Sequence, residues 1–112
     1  MTNQSISKSD WLSPGIAGII RIVATEFGVS PRLLSGQSRR QDIADARAVC
    51  MYILKEANVL HDEGIAKLFN RRRSTVCYCH TKVAQLKQYD KNMCRHFDNI
   101  VGRILNKAYL KR

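Results

Sequence analysis

The chain has 112 residues, which suffices for one domain with a single modest core. Its 19 Lys and Arg against 9 Asp and Glu give a net charge of +10, typical of a nucleic-acid or anionic-membrane partner, although charge alone also fits a generally basic protein. No apolar run is long enough to cross a bilayer, and the first residues lack the apolar core of a signal peptide. We therefore expect a cytoplasmic protein with its four cysteines reduced.

The amino-terminal part of the chain predicts a tail followed by a helix. Residues 1–13 are polar and aperiodic, so we expect a flexible tail there and one helical domain over residues 14–112. Ser13-Pro14 is a typical helix start and Gly28 a typical stop. Apolar residues recur between them at steps of three and four, which predicts a core-facing stripe: Ile16, Ile19, Ile20, Val23, Ala24 and Phe27.

A short second helix and a long third helix are predicted next, on either side of a basic loop. The second helix has one or two turns between a Ser30 cap and Gly36. The basic loop is GQSRRQ, residues 36–41, and Asp42 then caps the third helix, which ends near Asn58. The predicted buried stripe of the third helix is Ile43, Ala46, Cys50, Ile53, Leu54 and Ala57.

Three more helices are predicted in the carboxy-terminal half, so the fold class is all-α with about six helices. A short helix spans Asp62 to Phe69, the next begins at Ser74, and the last begins at about Lys91. The predicted inward residues are Ile65, Ala66 and Phe69, then Val76, Cys79, Val83 and Leu86, then Met93, Phe97, Ile100, Val101, Ile104 and Leu105.

The first two of these helices have the features of a helix-turn-helix over about residues 62–88. Ala66 is small enough for the second helix to cross closely, and Asn70 tolerates the positive φ that a tight turn needs. Apolar offsets are right for clamping the pair from inside: Ile65, Phe69, Val76 and Cys79. An ordinary corner between two helices of a bundle is the alternative.

The charge distribution singles out one face of this unit. No Asp or Glu occurs between Glu63 and Asp90, whereas six basic residues do. Three consecutive Arg residues before a helix start are unfavourable, because the helix dipole already makes that end positive, so we expect DNA to supply the anion. The predicted contacts are Arg72, Arg73, Ser74, Thr75, Tyr78 and Lys82. A solvated basic turn is the alternative for the arginines, and a partly buried support for Tyr78.

Spacing argues against catalysis or a bound cofactor. Residues two apart on a helix point to nearly opposite sides, so Cys77 and Cys79 do not share one metal. Nothing beside the Cys-His pairs supplies an orienting carboxylate or an oxyanion site. No Gly-rich loop ending in Gly-Lys-Ser/Thr occurs, so no nucleotide is expected. We expect a non-catalytic protein with no metal and no other cofactor.

Three segments resemble the carboxy-terminal DNA-binding domain of the bacterial replication initiator DnaA, from about Ile16 to Leu105. They are IVATEFGVSPRLLSG, SRRQDIADARAVCMYILKEAN and IAKLFNRRRSTVCYCHTKV. The last is similar to the family signature Phe-Gly-x-Arg-Asp-His-Ser/Thr-Thr-Val. The resemblance implies that the signature helix lies in the major groove and reads bases through Arg71, Ser74 and Thr75.

The resemblance also implies roles for three other arginines. An Arg of the basic loop, either Arg39 or Arg40, would enter the adjacent minor groove, where a narrow groove has a strong negative potential. Arg47, on the long helix, would contact the phosphate backbone.

The departures from the family pattern concern the turn and the bases that are read. Arg72-Arg73 stands where the family has Asp-His, and Asn70 alone replaces a Gly pair, which makes the turn one residue shorter. The loop before Asp42 is one residue longer. The two extra charges predict higher non-specific affinity and a shift towards guanines. The initiator's ATPase module is absent, so we expect a stand-alone divergent relative, from a mobile element or phage, or a fragment of an initiator. The start at Met1 favours the former.

These observations predict a non-catalytic protein that binds one site on double-stranded DNA as a monomer, with initiator-like recognition of an origin or other site. Replication proteins are further expected partners, a membrane is not, and the expected location is the bacterial nucleoid. A small transcriptional regulator and a basic protein-interaction module are alternatives. RNA is disfavoured, because A-form RNA has a deep, narrow groove that a helix does not enter.

Overall fold

The computed structural model describes residues 15–38, 40–57 and 60–110, and the side chains as far as Ile104. The tail predicted over residues 1–13, Arg39, Asn58 and the side chain of Leu105 lie outside the described residues. Five α-helices and one 3-10 helix follow in the order α1 (Gly15–Phe27), 3-10 helix (Pro31–Ser35), α2 (Gln41–Glu56), α3 (Asp62–Leu68), α4 (Arg73–Tyr89) and α5 (Lys91–Leu110). The predicted all-α class with about six helices is confirmed.

Helix α2 is the centre of the fold. Ten of its sixteen residues are buried, because α1, the 3-10 helix, α3 and α4 all pack against it. The predicted stripe is buried throughout, but so are residues on other sides of the helix, Val49, Met51 and Tyr52 among them. A helix that is covered on most sides is a core helix rather than an amphipathic surface helix.

The other predicted inward faces also meet this core. Phe69 and Phe97 are the largest fully buried side chains, and truncation of such a residue to Ala costs about 3–5 kcal/mol. The first-helix residues Ile16, Ile20 and Phe27 are only partly buried, and the same holds for two residues of α4, Cys79 and Leu86. Helix α5 completes the domain by packing against α1 and α4.

Two helices begin before their predicted starts, α2 by two residues and α4 by one. Helix α2 begins at Gln41 and α4 at Arg73, with Arg40 and Arg72 in the N-cap positions. Asp42 is therefore not the N-cap of α2. Its carboxylate instead accepts one hydrogen bond from Ile43 N at 2.8 Å and another from Arg40 Nη2 at 2.7 Å. Within the described residues, neither arginine side chain caps its helix, so a side-chain capping bond does not set these two helix starts.

A residue with positive φ follows both α1 and α3. Gly28 has φ 69° and Asn70 has φ 55°, the left-handed conformation that the sequence predicts for the turn residue Asn70. After α3, Arg71 N bonds to Ala66 O at 2.8 Å and Asn70 N bonds to Lys67 O at 3.2 Å. This pair of bonds is the Schellman motif, which fixes the direction in which the chain leaves α3.

No helix within the described part of the chain is long and apolar enough to cross a membrane.

Candidate nucleic-acid interface

Helices α3 and α4 pack as a helix-turn-helix around the predicted contacts. Ala66 is 5% exposed at the crossing, and Ile65, Phe69 and Val76 are fully buried on the inner side. Cys79, the fourth predicted clamp residue, is half-buried against the same core. Because the Schellman turn defines the exit from α3, the start of α4 is held at one angle to it.

One surface stripe on α4 unites most of the predicted contact residues. Ser74, Tyr78 and Lys82 are spaced by four residues and therefore lie on one side of the helix. Arg72 and Arg73 are exposed at its start, and the half-buried Thr75 lies beside them, toward the protein. Tyr78 is 64% exposed, so the structure does not support the alternative in which its ring is a partly buried support.

Asp62, at the start of α3, is an acidic residue that contacts α4. Its Oδ2 atom lies 3.4 Å from Cys77 Sγ and 3.4 Å from Lys55 Nζ. The hydrogen bond from Cys77 has the largest effect and lowers the pKa of Asp62. Burial opposes it with the second-largest effect, and Lys55 and the charge of Arg73 lower the pKa further. Asp62 and Arg73 also line an open cavity of about 410 Å³ with His61 and Glu63. The Asp62 carboxylate thus offsets part of the positive charge of Arg73, while the Arg73 side chain remains exposed to solvent.

The basic loop presents one described arginine to solvent. The Arg40 side chain is 68% exposed, and its Nη2 lies 2.7 Å from Asp42 Oδ2. Such an exposed ion pair contributes little stability, because water screens it and both side chains lose freedom. The Arg40 guanidinium can therefore exchange the Asp42 carboxylate for another anion at little cost.

Arg47 has a placement that the sequence did not predict. It is 7% exposed, and its Nε donates to Leu34 O at 2.6 Å. Its Nη2 lies 3.4 Å from both Gly36 O and Ser38 O. Burial lowers the pKa of Arg47 first, and the charge of Arg71 lowers it further, against an opposing effect of Cys79. The guanidinium is directed at the backbone of the protein, and a phosphate contact of Arg47 stays a prediction that this placement does not favour.

Arg71 is also directed inward. Its Nη2 donates to Gly36 O at 2.7 Å, and its Nη1 donates to Phe69 O and Asn70 O at 3.1 Å each. The base contact that the resemblance implies for Arg71 is untested and stays a prediction. The signal that sequence analysis missed is spacing: Arg47 follows Ile43 by four residues and so lies on its buried side.

The side of α4 opposite the stripe packs against α2. His80 Nε2 lies 2.7 Å from Glu56 Oε2, and its ring stacks on Tyr52 at a centroid distance of 4.8 Å. Lys87 Nζ lies 5.0 Å from the centroid of the same Tyr52 ring. Lys87 therefore lies in the segment between Glu63 and Asp90 that has no acidic residue, but it does not lie on the outward stripe of α4.

Cysteine placement bears on metal binding. Cys77 is exposed and Cys79 is half-buried, as their spacing on one helix requires. In the part of the chain that the structure describes, no group of three or more His, Cys, Asp or Glu side chains is arranged to hold a metal ion.

Residues 16–83 match the family model described as the bacterial dnaA protein helix-turn-helix. The chain belongs to this DnaA helix-turn-helix family. The match spans the 3-10 helix, the basic loop, α2 and α3 and runs into α4, and it confirms the resemblance that three segments of the sequence indicated. Membership supports DNA binding through the helix-turn-helix, and the family's domain is a DNA-binding unit rather than a catalytic one.

Individual relatives agree with this assignment. The chromosomal replication initiator proteins DnaA of Crocosphaera subtropica and Nostoc punctiforme are each 33% identical over 87 residues, which cover 77% of this chain and 19% of theirs. The DnaA protein of Thermus thermophilus is 34% identical over 76 residues, 67% of this chain and 17% of its own. The chain therefore spans about a fifth of the length of the curated DnaA relatives that it matches.

Proposed function

We propose that this chain binds double-stranded DNA at specific sites, with α4 in the major groove and the basic loop over the adjacent minor groove. The observation that carries the proposal is the outward stripe of α4. This stripe is exposed, and the first turn of α4 contains no acidic residue. The helix follows the Schellman turn after α3, in a chain of the DnaA helix-turn-helix family. A helix of this kind fits the major groove, which is about 12 Å wide.

The predicted contact residues on α4 and at its start have complementary roles. Arg72 and Arg73 are suited to guanine, whose O6 and N7 accept two hydrogen bonds from one guanidinium. Ser74 and Thr75 are suited to a base edge or a phosphate at the helix amino terminus. Tyr78 and Lys82 lie further along the helix and are suited to sugar and phosphate groups, which set orientation rather than sequence.

The basic loop supplies the minor-groove contact. Arg40 is exposed, and its guanidinium pairs with Asp42 at the surface. Replacement of the Asp42 carboxylate by a DNA group costs little free energy, because the exposed ion pair is weak. The minor groove attracts arginine most strongly in A-tracts, where it is narrow. Arg39 shares this predicted role on sequence grounds.

We further propose recognition of an origin or other site in the manner of a replication initiator, without catalysis, cofactor or nucleotide. The relatives named chromosomal replication initiator protein support this. Contact with replication proteins and a cytoplasmic, nucleoid-associated location belong to the same proposal. The Arg72-Arg73 pair supports a site richer in guanine than the usual initiator box.

Fluorescence anisotropy with labelled duplexes tests the function. An initiator-box duplex, a GC-rich duplex and a random duplex are titrated at several salt concentrations, with a single-stranded RNA of equal length as control. We expect one preferred duplex and a log affinity that falls linearly with log salt by several phosphate contacts. Equal affinity for all duplexes would contradict site recognition, and no duplex binding at low salt would contradict DNA binding altogether.

A further inference from the structure

The guanidinium groups of Arg47 and Arg71 meet at a single carbonyl oxygen of the basic loop. Gly36 O lies 2.7 Å from Arg71 Nη2 and 3.4 Å from Arg47 Nη2. Two cations this close repel each other, and Arg71 accordingly lowers the pKa of Arg47. The arrangement is stabilised by the backbone carbonyls, whose negative ends point at both guanidinium groups.

Arg71 connects two parts of the interface that are far apart in sequence. One edge of its guanidinium bonds to Phe69 O and Asn70 O in the turn of the helix-turn-helix. The other edge bonds to Gly36 O, 35 residues earlier, at the start of the basic loop. A planar group with donors on two edges is well suited to this bridge, whereas an ammonium group has a single donor centre.

The bridge joins the two elements that must lie in neighbouring grooves. A helix in the major groove and a loop over the minor groove bind together only when their separation matches the duplex. A loop that is ordered before binding avoids an entropic cost at the moment of association. The backbone carbonyls of a loop need hydrogen-bond donors if the loop is to hold one conformation. Arg47 on α2 and Arg71 in the turn supply such donors to the basic loop.

We propose that Arg71 is a positioning residue, which acts on DNA through the basic loop by holding the Gly36 carbonyl against the turn before α4. This inference rests on the proposed function for its effect on DNA, but not for its effect on the loop. It differs from the base contact that the family resemblance implies for Arg71. Under that alternative, Arg71 acts on DNA directly and independently of the loop.

The first test uses the free protein. Arg71→Lys keeps the charge and removes the two-edged donor geometry, and Arg72→Lys is the matched control on the exposed neighbour. Hydrogen exchange is measured for peptides covering residues 33–40, where the amides of Leu33, Gly36 and Arg40 are hydrogen-bonded. We expect exchange there to accelerate about fivefold or more in Arg71→Lys alone. Unchanged exchange, equal acceleration in Arg72→Lys, or an equal rise in α1 would each overturn the proposal.

The second test is a double-mutant cycle on duplex affinity. Arg71→Lys is combined with the loop-neutral variant Arg39→Ala/Arg40→Ala. We expect Arg71→Lys to weaken binding about tenfold when the loop is intact and less than about twofold when the loop is neutral. An equal loss in both backgrounds would show a direct contact and overturn the proposal. A wild-type protein that binds no duplex would contradict the proposed function, and the exchange measurement would then decide the role of Arg71 alone.

Discussion

The Nε atom of Arg47 donates a 2.6 Å hydrogen bond to the carbonyl oxygen of Leu34, thirteen residues earlier in the chain. This bond ties the central helix α2 to the 3-10 helix and to the loop that follows. Arg47 is therefore a residue of the folded core, and its replacement tests stability before it tests DNA binding.

Arg47→Met should destabilise the protein strongly, because it removes the donor that satisfies the buried carbonyl oxygen of Leu34. We expect a loss of about 2–4 kcal/mol in the free energy of unfolding, measured by urea denaturation. The control is Arg32→Met, at an exposed position of the 3-10 helix, which should change stability by less than about 0.5 kcal/mol. Equal stability of the two variants would show that the carbonyl contacts of Arg47 do not support the fold.

Asn70 should resist replacement by any residue that disfavours a positive φ. Asn70→Ala should lower stability by about 1 kcal/mol, whereas Asn70→Gly should cause no loss, because glycine adopts φ 55° without a Cβ clash. Thermal unfolding of the three proteins measures the order. A glycine variant less stable than the alanine variant would contradict the claim that the positive φ of residue 70 decides its stability.

Asp62 gives a stability that depends on pH with a defined sign. Its pKa is lowered in the folded protein, chiefly by the hydrogen bond from Cys77, so the folded state favours the carboxylate. The resulting stability is fully present above the unfolded pKa of about 3.9 and is lost as pH falls through the folded value. Urea denaturation from pH 7 to pH 3 should therefore show the wild-type advantage over Asp62→Asn shrinking below about pH 4. An advantage that grew towards acid would reverse the assigned direction, and Glu63→Gln is the neighbouring control.

Replacements on the two sides of α4 should have different effects on DNA binding. Arg73→Ala and Thr75→Ala should each weaken binding to the preferred duplex by about 1–3 kcal/mol, because each would remove a base contact. Lys87→Ala should leave sequence preference unchanged, since Lys87 Nζ lies over the Tyr52 ring on the opposite side. Competition between preferred and random duplexes measures both effects. Relaxed preference in Lys87→Ala with none in Thr75→Ala would mean that the assigned face of α4 is wrong.

Local patterns in the sequence were sufficient to predict the helices and most of the core, because apolar periodicity is a property of each helix alone. They did not predict that α2 is covered on most sides, since this depends on how four other elements pack around it. The predicted cap Asp42 lies two residues after the observed N-cap Arg40, and the predicted start Ser74 lies one residue after the observed start of α4, for a related reason. Capping preference favours side-chain oxygens, whereas the chain places Arg40 and Arg72 at these positions.

The sequence was sufficient to predict which residues of α4 are exposed, but not which residues contact one another across the interface. The exposed residues of α4 follow from charge and helical spacing, both of which are local. The contacts of Arg71 and Arg47 with Gly36 join positions 35 and 11 residues apart, and no local pattern records such a pairing. Arginine in a basic segment is typical of a solvated surface, so the inward direction of these two side chains had to come from the structure.

The most direct test of the account is a map of the DNA-binding surface by NMR. Backbone amide shifts of the labelled protein are followed during titration with the preferred duplex. The largest changes should fall on residues 72–82 and on the basic loop, with small changes on the exposed face of α5 around Arg95. Changes concentrated on α5 or α1 instead would contradict the claim that α4 and the basic loop form the interface.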